Sequence, residues 1–155
     1  MPFEIRFVRA SDADAVVAFV ATVLAEFGLE FGNGSATDAQ LRGLPESYAS
    51  GAFWVADDGD AIVGTCGVFP VGSGTFELRK MYVAPSTRGS GLGKRLLEMA
   101  IAWVRANGGR RVVLDTVEQM TRAIGFYEAN GFVRADAEIR GARCTRGYAL
   151  DLPRE

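Results

Sequence analysis

The segment RGSGLG, residues 88–93, places three glycines in six positions and is followed directly by Lys94 and Arg95. It lies between two strongly patterned runs. Before it, TFELRKMYV (75–83) is rich in β-formers, and Pro85 stops it. After it, Leu92, Leu96, Leu97, Ala100, Ile101 and Val104 recur at steps of three and four, the spacing of one apolar helix face. Glycines before a helix let the backbone approach a ligand closely, and a helix start offers unpaired N–H groups and partial positive charge. The segment therefore reads as an anion-binding turn, with Arg88, Lys94 and Arg95 adding formal charge. A plain glycine-rich helix start with solvated basic side chains is the alternative.

Two familiar phosphate loops do not fit. A dinucleotide fingerprint, G-x-G-x-x-G, needs its last glycine where Lys94 or Leu96 stands. A Walker A loop, G-x-x-x-x-G-K-[ST], matches only at Gly93-Lys94, because Arg88 and Arg95 hold its outer glycine and hydroxyl positions.

Outward from this point, NGG (107–109) ends the helix and RRVVLDTV begins a further strand. Strand 75–83, helix 91–106 and strand 111–117 form a βαβ unit, so the two strands are expected to be parallel. Upstream, FWVA and AIVGTCGVF flank Asp57-Asp58-Gly59-Asp60, a hairpin signal, and VGSG (71–74) makes the next turn. A first strand is predicted over 3–8, then an amphipathic helix over 13–27 capped by Ser11 or Asp12. Residues 28–35 form a loop, Thr37 starts a short helix to Leu41, and a turn or helix follows at 45–50. A helix at 121–129 and a strand pair at 132–137 and 144–151 complete the chain. The expected architecture is α/β: one domain over 1–155, with a mixed, mostly antiparallel sheet of about six or seven strands, one parallel pair, and helices on both faces.

Composition limits the chemistry. The 155 residues carry a net charge of −2, which argues against a general nucleic-acid binder. The N-terminal run is too briefly apolar for a signal peptide, and no run approaches a membrane span. Cys66 and Cys144 are far apart and read as small buried residues in a reducing cytoplasm, where the protein is expected to reside. With no histidine in the chain, no metal site is expected, and Ser-His-Asp or Cys-His catalysis is impossible. Proton transfer must use Glu, Asp, Tyr, Cys, Lys or water.

Arg88-x-x-Gly91-x-Gly93, placed after a strand ending V-x-P, resembles the acyl-CoA signature [Q/R]-x-x-G-x-[G/A] of the GNAT superfamily of N-acetyltransferases. The segment AIGFYEANGF (123–132) is similar to that superfamily's second recurrent segment, a helix with A-x-x-x-Y leading to G-F. The order of elements also agrees, so the resemblance covers almost the whole chain. It implies a GNAT-like fold whose parallel pair is splayed, and acetyl-CoA as co-substrate. The acceptor would be an amine of a small molecule or peptide. No nucleic-acid or membrane partner is implied, and a homodimer is compatible.

The same resemblance assigns roles. Main-chain N–H groups of Arg88, Gly89, Ser90, Gly91, Leu92, Gly93 and Lys94 would grip the CoA pyrophosphate. Met81 and Val83 would pair through their backbones with the pantetheine arm, and an N–H near Met81 or Tyr82 would polarise the acetyl carbonyl. Tyr127 is the candidate general acid for the departing thiolate; a tyrosine merely packed between helix and sheet is the alternative. Glu77 is the candidate general base, at the offset from the signature used by the histone-acetylating branch. Water could serve instead, and a glutamate paired with Arg79 or Lys80 is the structural alternative. Strand alternation places Glu77, Arg79, Met81 and Val83 on one face.

Two departures stand out. Many relatives carry an asparagine seven residues before the tyrosine, where this chain has Met120; Asp115-Thr116 either substitutes for it or Asp115 is simply solvated. The acceptor side, built from loop 28–37, Phe53-Trp54 and the C-terminal strands, carries no known substrate motif. Glu26, Glu30 and Asp38 there either attract a cationic amine or are simply solvated. A non-catalytic acyl-CoA-binding module on the same fold, and a domain using RGSGLG for another phosphate, are the rival functions.

Overall fold

The computed structural model describes residues 3–32 and 36–153. The predicted loop at 28–35 therefore falls partly outside the described residues. Among those residues the strands are β1 (Glu4–Phe7), β2 (Ala52–Asp57), β3 (Ile62–Gly72), β4 (Thr75–Val83), β5 (Arg111–Thr116), β6 (Val133–Arg134) and β7 (Arg146–Asp151). The helices of five or more residues are α1 (Ala13–Glu26), α2 (Ala36–Gln40), α3 (Leu92–Ala106) and α4 (Thr121–Ala129). Seven strands make one sheet in the order β1-β2-β3-β4-β5-β7-β6. Only β4 and β5 are parallel, and every other neighbouring pair is antiparallel.

Each face of the sheet has its own core. On one side, α3 buries Leu92, Leu96, Leu97, Ala100 and Val104, and α4 buries Ile124 and Tyr127, against Val68, Phe76, Leu78 and Leu114. Each fully buried leucine contributes roughly 2 kcal/mol relative to exposure. On the other side, Val16, Val20 and Leu24 of α1 meet Leu41, Tyr48, Phe53 and Val55. No helix among the described residues is long and apolar enough to cross a membrane.

The parallel pair is short. Only Thr75, Phe76 and Glu77 match Arg111, Val112 and Val113. Beyond Glu77 the strands part: β5 continues along β7 to Thr116, while β4 continues along β3 to Val83. A bulge lies in the diverging half of β4. Gly67 is opposite Arg79, but Thr65 is opposite Tyr82, so β4 has gained a residue. Lys80 absorbs it at φ 53°, and the buried Thr65 hydroxyl donates to the Lys80 carbonyl at 2.7 Å.

The bulge corrects the expected alternation. Glu77, Arg79, Met81 and Val83 do not share a face. Phe76 and Leu78 belong to the α3-side core, and after the bulge Met81 and Val83 join that same side. Tyr82 packs with the α1-side cluster.

Three smaller expectations also change. The predicted strand 132–137 is only Val133–Arg134, because a 3-10 turn takes Asp136–Glu138. The last strand starts at Arg146 rather than Cys144. Asp12 makes no helix-cap bond; it accepts from Arg6 Nη1 at 2.7 Å and from the Arg9 amide at 2.7 Å.

Candidate active site

The splay between β4 and β5 opens the sheet from both sides. Two cavities meet there, of about 340 and 420 Å3. Met81, Tyr82, Met120, Ala123 and Tyr127 line both. The two cavities therefore adjoin along these five residues.

The larger cavity runs from this junction to the start of α3. Of the candidate cofactor residues, Met81, Tyr82, Val83, Arg88, Gly89, Gly91, Leu92, Gly93 and Lys94 line it, and Ser90 does not. The Ser90 hydroxyl instead donates to the Thr87 carbonyl at 2.5 Å and accepts from the Leu92 amide at 3.3 Å. Gly89 and Gly91 lie at φ 83° and 88°, conformations that a side chain would strain. Gly91 is the N-cap of α3 and offers no capping side chain. The first α3-side hydrogen bond is Arg95 N–H to the Gly91 carbonyl at 3.1 Å. Among the described residues, the amides of Gly89, Gly91, Gly93 and Lys94 therefore donate to nothing. Free N–H groups at a helix start with left-handed glycines form a concave anion receptor.

The charge around this receptor differs from the expectation. Arg88 turns to α1 and pairs with both oxygens of Glu26. That guanidinium holds the Glu26 carboxyl below its usual range. Arg88 thus ties the turn to α1, and Glu26 is not free to attract an amine. Lys94 Nζ donates to Asn130 Oδ1 at 3.2 Å on the surface.

Tyr127 stands at the junction, its ring edge-on to Phe126 and Phe132 at 5.7 and 5.6 Å. Its hydroxyl makes no hydrogen bond among the described residues. Burial pushes its pKa up, so the phenol keeps its proton. Met120 occupies the adjacent wall and its sulfur accepts from the Thr116 hydroxyl at 3.8 Å. Asp115, the candidate replacement for the missing asparagine, lines the smaller cavity rather than the larger one. It accepts from the amides of Arg140 and Gly141 at 2.6 and 2.7 Å and so fixes that loop.

The smaller cavity contains Glu77, which is buried. Glu77 Oε1 accepts from Arg79 Nε at 2.5 Å, as the structural alternative expected. Its Oε2 is buried with no hydrogen-bond donor, although Arg140 Nη1 lies 3.5 Å away. Arg79 also reaches Gln40 Oε1 at 3.1 Å and lies over the Phe69 ring.

Sequence reading missed a second cluster on this cavity. Asp38 is fully buried; it accepts from Lys80 Nζ, from Arg143 at 3.0 and 3.1 Å, and from the Gly32 amide at 2.7 Å. Burial alone would raise its pKa, but the Arg143 guanidinium and Lys80 ammonium outweigh it and hold the carboxyl low. Asp38 is therefore neither solvated nor open to an amine. These partners lie 42 and 105 residues from Asp38, and no local pattern links them. Cys144 adjoins the cluster, its thiol pushed up to about 12 by burial and by Asp115.

Comparison with known proteins agrees with this geometry. Residues 21–132 match the Acetyltransferase (GNAT) family. The uncharacterised N-acetyltransferase YjgM of Escherichia coli is 34% identical over 137 residues, covering 84% of this chain and 82% of its own. A GNAT-family acetyltransferase structure from Staphylococcus aureus superposes with a TM-score of 0.89 at 23% identity, over 97% of this chain and 99% of its own. The structure of yncA from Salmonella typhimurium, solved with acetyl-CoA, has a TM-score of 0.75 at 20% identity, over 100% of this chain and 96% of its own. The splayed pair, the glycine turn at the start of α3 and the family match over most of the sequence lead to one assignment: the chain belongs to the GNAT family and is an acetyltransferase.

Proposed function

We propose that the chain moves the acetyl group of acetyl-CoA to a primary amine, with both reactants bound at once. The observation that carries this reading is the junction of the two cavities at Met81, Tyr82, Met120, Ala123 and Tyr127. The larger cavity suits the donor. Its far end offers the unpaired amides of Gly89, Gly91, Gly93 and Lys94 to a pyrophosphate, and the Arg88–Lys94 turn supplies the approach. Along β4, the edge released by the splay leaves the main chain at Met81 and Val83 to pair with an extended pantetheine arm. A backbone N–H near Met81 or Tyr82 then polarises the thioester carbonyl.

The smaller cavity suits the acceptor. Its neutral amine attacks the carbonyl, Glu77 Oε2 or an intervening water takes the ammonium proton, and Tyr127 protonates the departing thiolate. Holding both reactants in adjoining cavities supplies much of the rate by proximity. No enzyme nucleophile is needed: burial raises the Cys66 thiol well above its usual range and Cys144 to about 12, so neither supplies a thiolate near neutral pH. Both cysteines are free thiols, which suits a cytoplasmic enzyme.

The test is thiol release from acetyl-CoA across a panel of primary amines, with mass spectrometry of the products. Acetylated amine formed in step with free CoA upholds the proposal. Binding of CoA without turnover of any amine contradicts it.

A further inference from the structure

We propose that the Tyr82 side chain selects the acceptor: its hydroxyl donates to an uncharged oxygen of the substrate, so the favoured acceptor is a primary amine that also carries a carbonyl or ether oxygen. The inference rests on the amine-acetylation reading above and adds to it the chemical class of the acceptor and the residue that reads it.

The first observation is what the wall of the smaller cavity leaves unpaired. Its cations are taken. Lys80 and Arg143 share Asp38, and Arg143 also donates to the Glu30 carbonyl at 3.4 Å. Arg140 pairs with Glu138 at 3.1 Å and lies 3.5 Å from Glu77 Oε2, while Arg79 holds Glu77 Oε1. The Thr116 hydroxyl is turned to Met120 and Asp115 to two backbone amides. Two polar groups of this wall remain without a hydrogen-bond partner among the described residues. One is Glu77 Oε2, which is buried and lacks a donor. The other is the Tyr82 hydroxyl. An acceptor and a donor are therefore open to a ligand. The N–H of a bound amine satisfies the first, and an oxygen elsewhere on the same molecule satisfies the second. With the cations paired, the oxygen that suits a lone phenol donor is a neutral one.

The second observation is where the bulge puts this ring. Met81 and Val83 turn to the α3 side, and Tyr82 between them packs with the α1-side cluster. Tyr82 lines both cavities, at their junction. Burial pushes its pKa up, with Arg143, Asp38, Cys144 and Asp115 as its titratable neighbours. Arg143, Cys144 and Asp115 line the smaller cavity, so the hydroxyl belongs to the acceptor side. A phenol in this setting keeps its proton and acts as a donor. Glu77 and Tyr82 thus read the two ends of one small molecule from the same strand, and a cavity of about 340 Å3 holds such a ligand. An alkyl group in place of the oxygen would displace water from the phenol without replacing its hydrogen bond.

The experiment measures kcat/KM with acetyl-CoA for pairs of primary amines that differ by one methylene exchanged for an ether oxygen. The pairs are 2-methoxyethylamine against butylamine and 3-methoxypropylamine against pentylamine, in wild type and in Tyr82→Phe. Differences in basicity and hydrophobicity within a pair are common to both enzymes and cancel in the ratio of their ratios. In Tyr82→Phe the ether-to-alkyl ratio is expected to fall about fivefold, chiefly through a higher KM for the ether. Should Tyr82→Phe fail to fold, Tyr82→Leu carries the same comparison. A role for the ring in packing alone would lower both members of each pair alike. An unchanged ratio in both pairs therefore overturns this proposal and leaves amine acetylation standing. Turnover of other primary amines but of neither ether overturns it as well. Turnover of no amine at all overturns both readings.

Discussion

Leu78 and Met81 lie three residues apart on one strand, yet both pack into the α3-side core. A regular strand would send them to opposite faces. The extra residue at Lys80 reverses the phase of β4 at the point where β5 departs, so its backbone turns towards the open cleft with Met81 at the cavity junction. The bulge thus couples the splay of the sheet to the placement of the main chain at the cavity junction.

Thr65→Val tests that coupling. Valine keeps the volume but removes the hydroxyl that donates to the Lys80 carbonyl. Leaving a buried carbonyl unpaired costs about 1–2 kcal/mol. Chemical denaturation should show that loss, and kcat should fall further than stability alone explains, because the bulge aims the chain at Met81.

Asp38→Asn should be among the most destabilising single changes. It strips the counter-charge from Lys80 and Arg143, and breaking a buried ion pair in this way costs about 3 kcal/mol or more. The folded Asp38 pKa lies below its unfolded value, so its stabilisation is present above ~pH 4 and fades as the pH falls through the folded value. Urea midpoints across pH 3–7 should therefore drop more steeply on the acid side for wild type than for the variant.

Gly91→Ala and Gly93→Ala should separate folding from cofactor grip. Gly91 is at φ 88°, so alanine there costs about 1 kcal/mol even though its Cβ would meet nothing within 4 Å. Gly93 has an ordinary helical backbone, and an added Cβ would sit 3.8 Å from Phe126, a comfortable contact. Gly93→Ala should therefore leave the melting temperature unchanged or raised, while calorimetry shows weaker CoA binding because the new methyl narrows the cavity.

Tyr127→Phe keeps the ring contacts with Phe126 and Phe132 and removes a hydroxyl without a protein partner. Thermal stability should hold, while kcat falls about 100-fold if the phenol is the general acid. Burial keeps that pKa above the ordinary tyrosine value, so the acid stays protonated as pH rises. The wild-type rate should show no alkaline loss from this group below pH ~10.

Much of the fold was legible because it is written in local patterns. The apolar stripe of α3, the Asp-Gly hairpin and the glycine turn each lie within a few residues, and together they imply the parallel β4–β5 pair. The glycine turn with its unpaired amides was legible for the same reason, since Gly89, Gly91 and Gly93 are neighbours in sequence. The bulge was not legible, because lysine carries no preference for the positive φ that Lys80 adopts. The Arg88–Glu26 and Asp38–Lys80–Arg143 pairs were hidden by sequence separation: charges that look solvated singly become partners only when α1, α2 and the loop before β7 close over the sheet. The early end of β6 had no signal either: Val133, Ala135 and Ala137 alternate as in a strand, yet Asp136–Glu138 closes into a 3-10 turn.

The central claim is direct transfer between two bound reactants, and initial-rate kinetics with acetyl-CoA and the best amine of the panel, both varied, test it most directly. The account predicts intersecting double-reciprocal lines and no CoA release until amine is added. Parallel lines, or a burst of free CoA before any amine is present, would reveal an acetylated enzyme and contradict it.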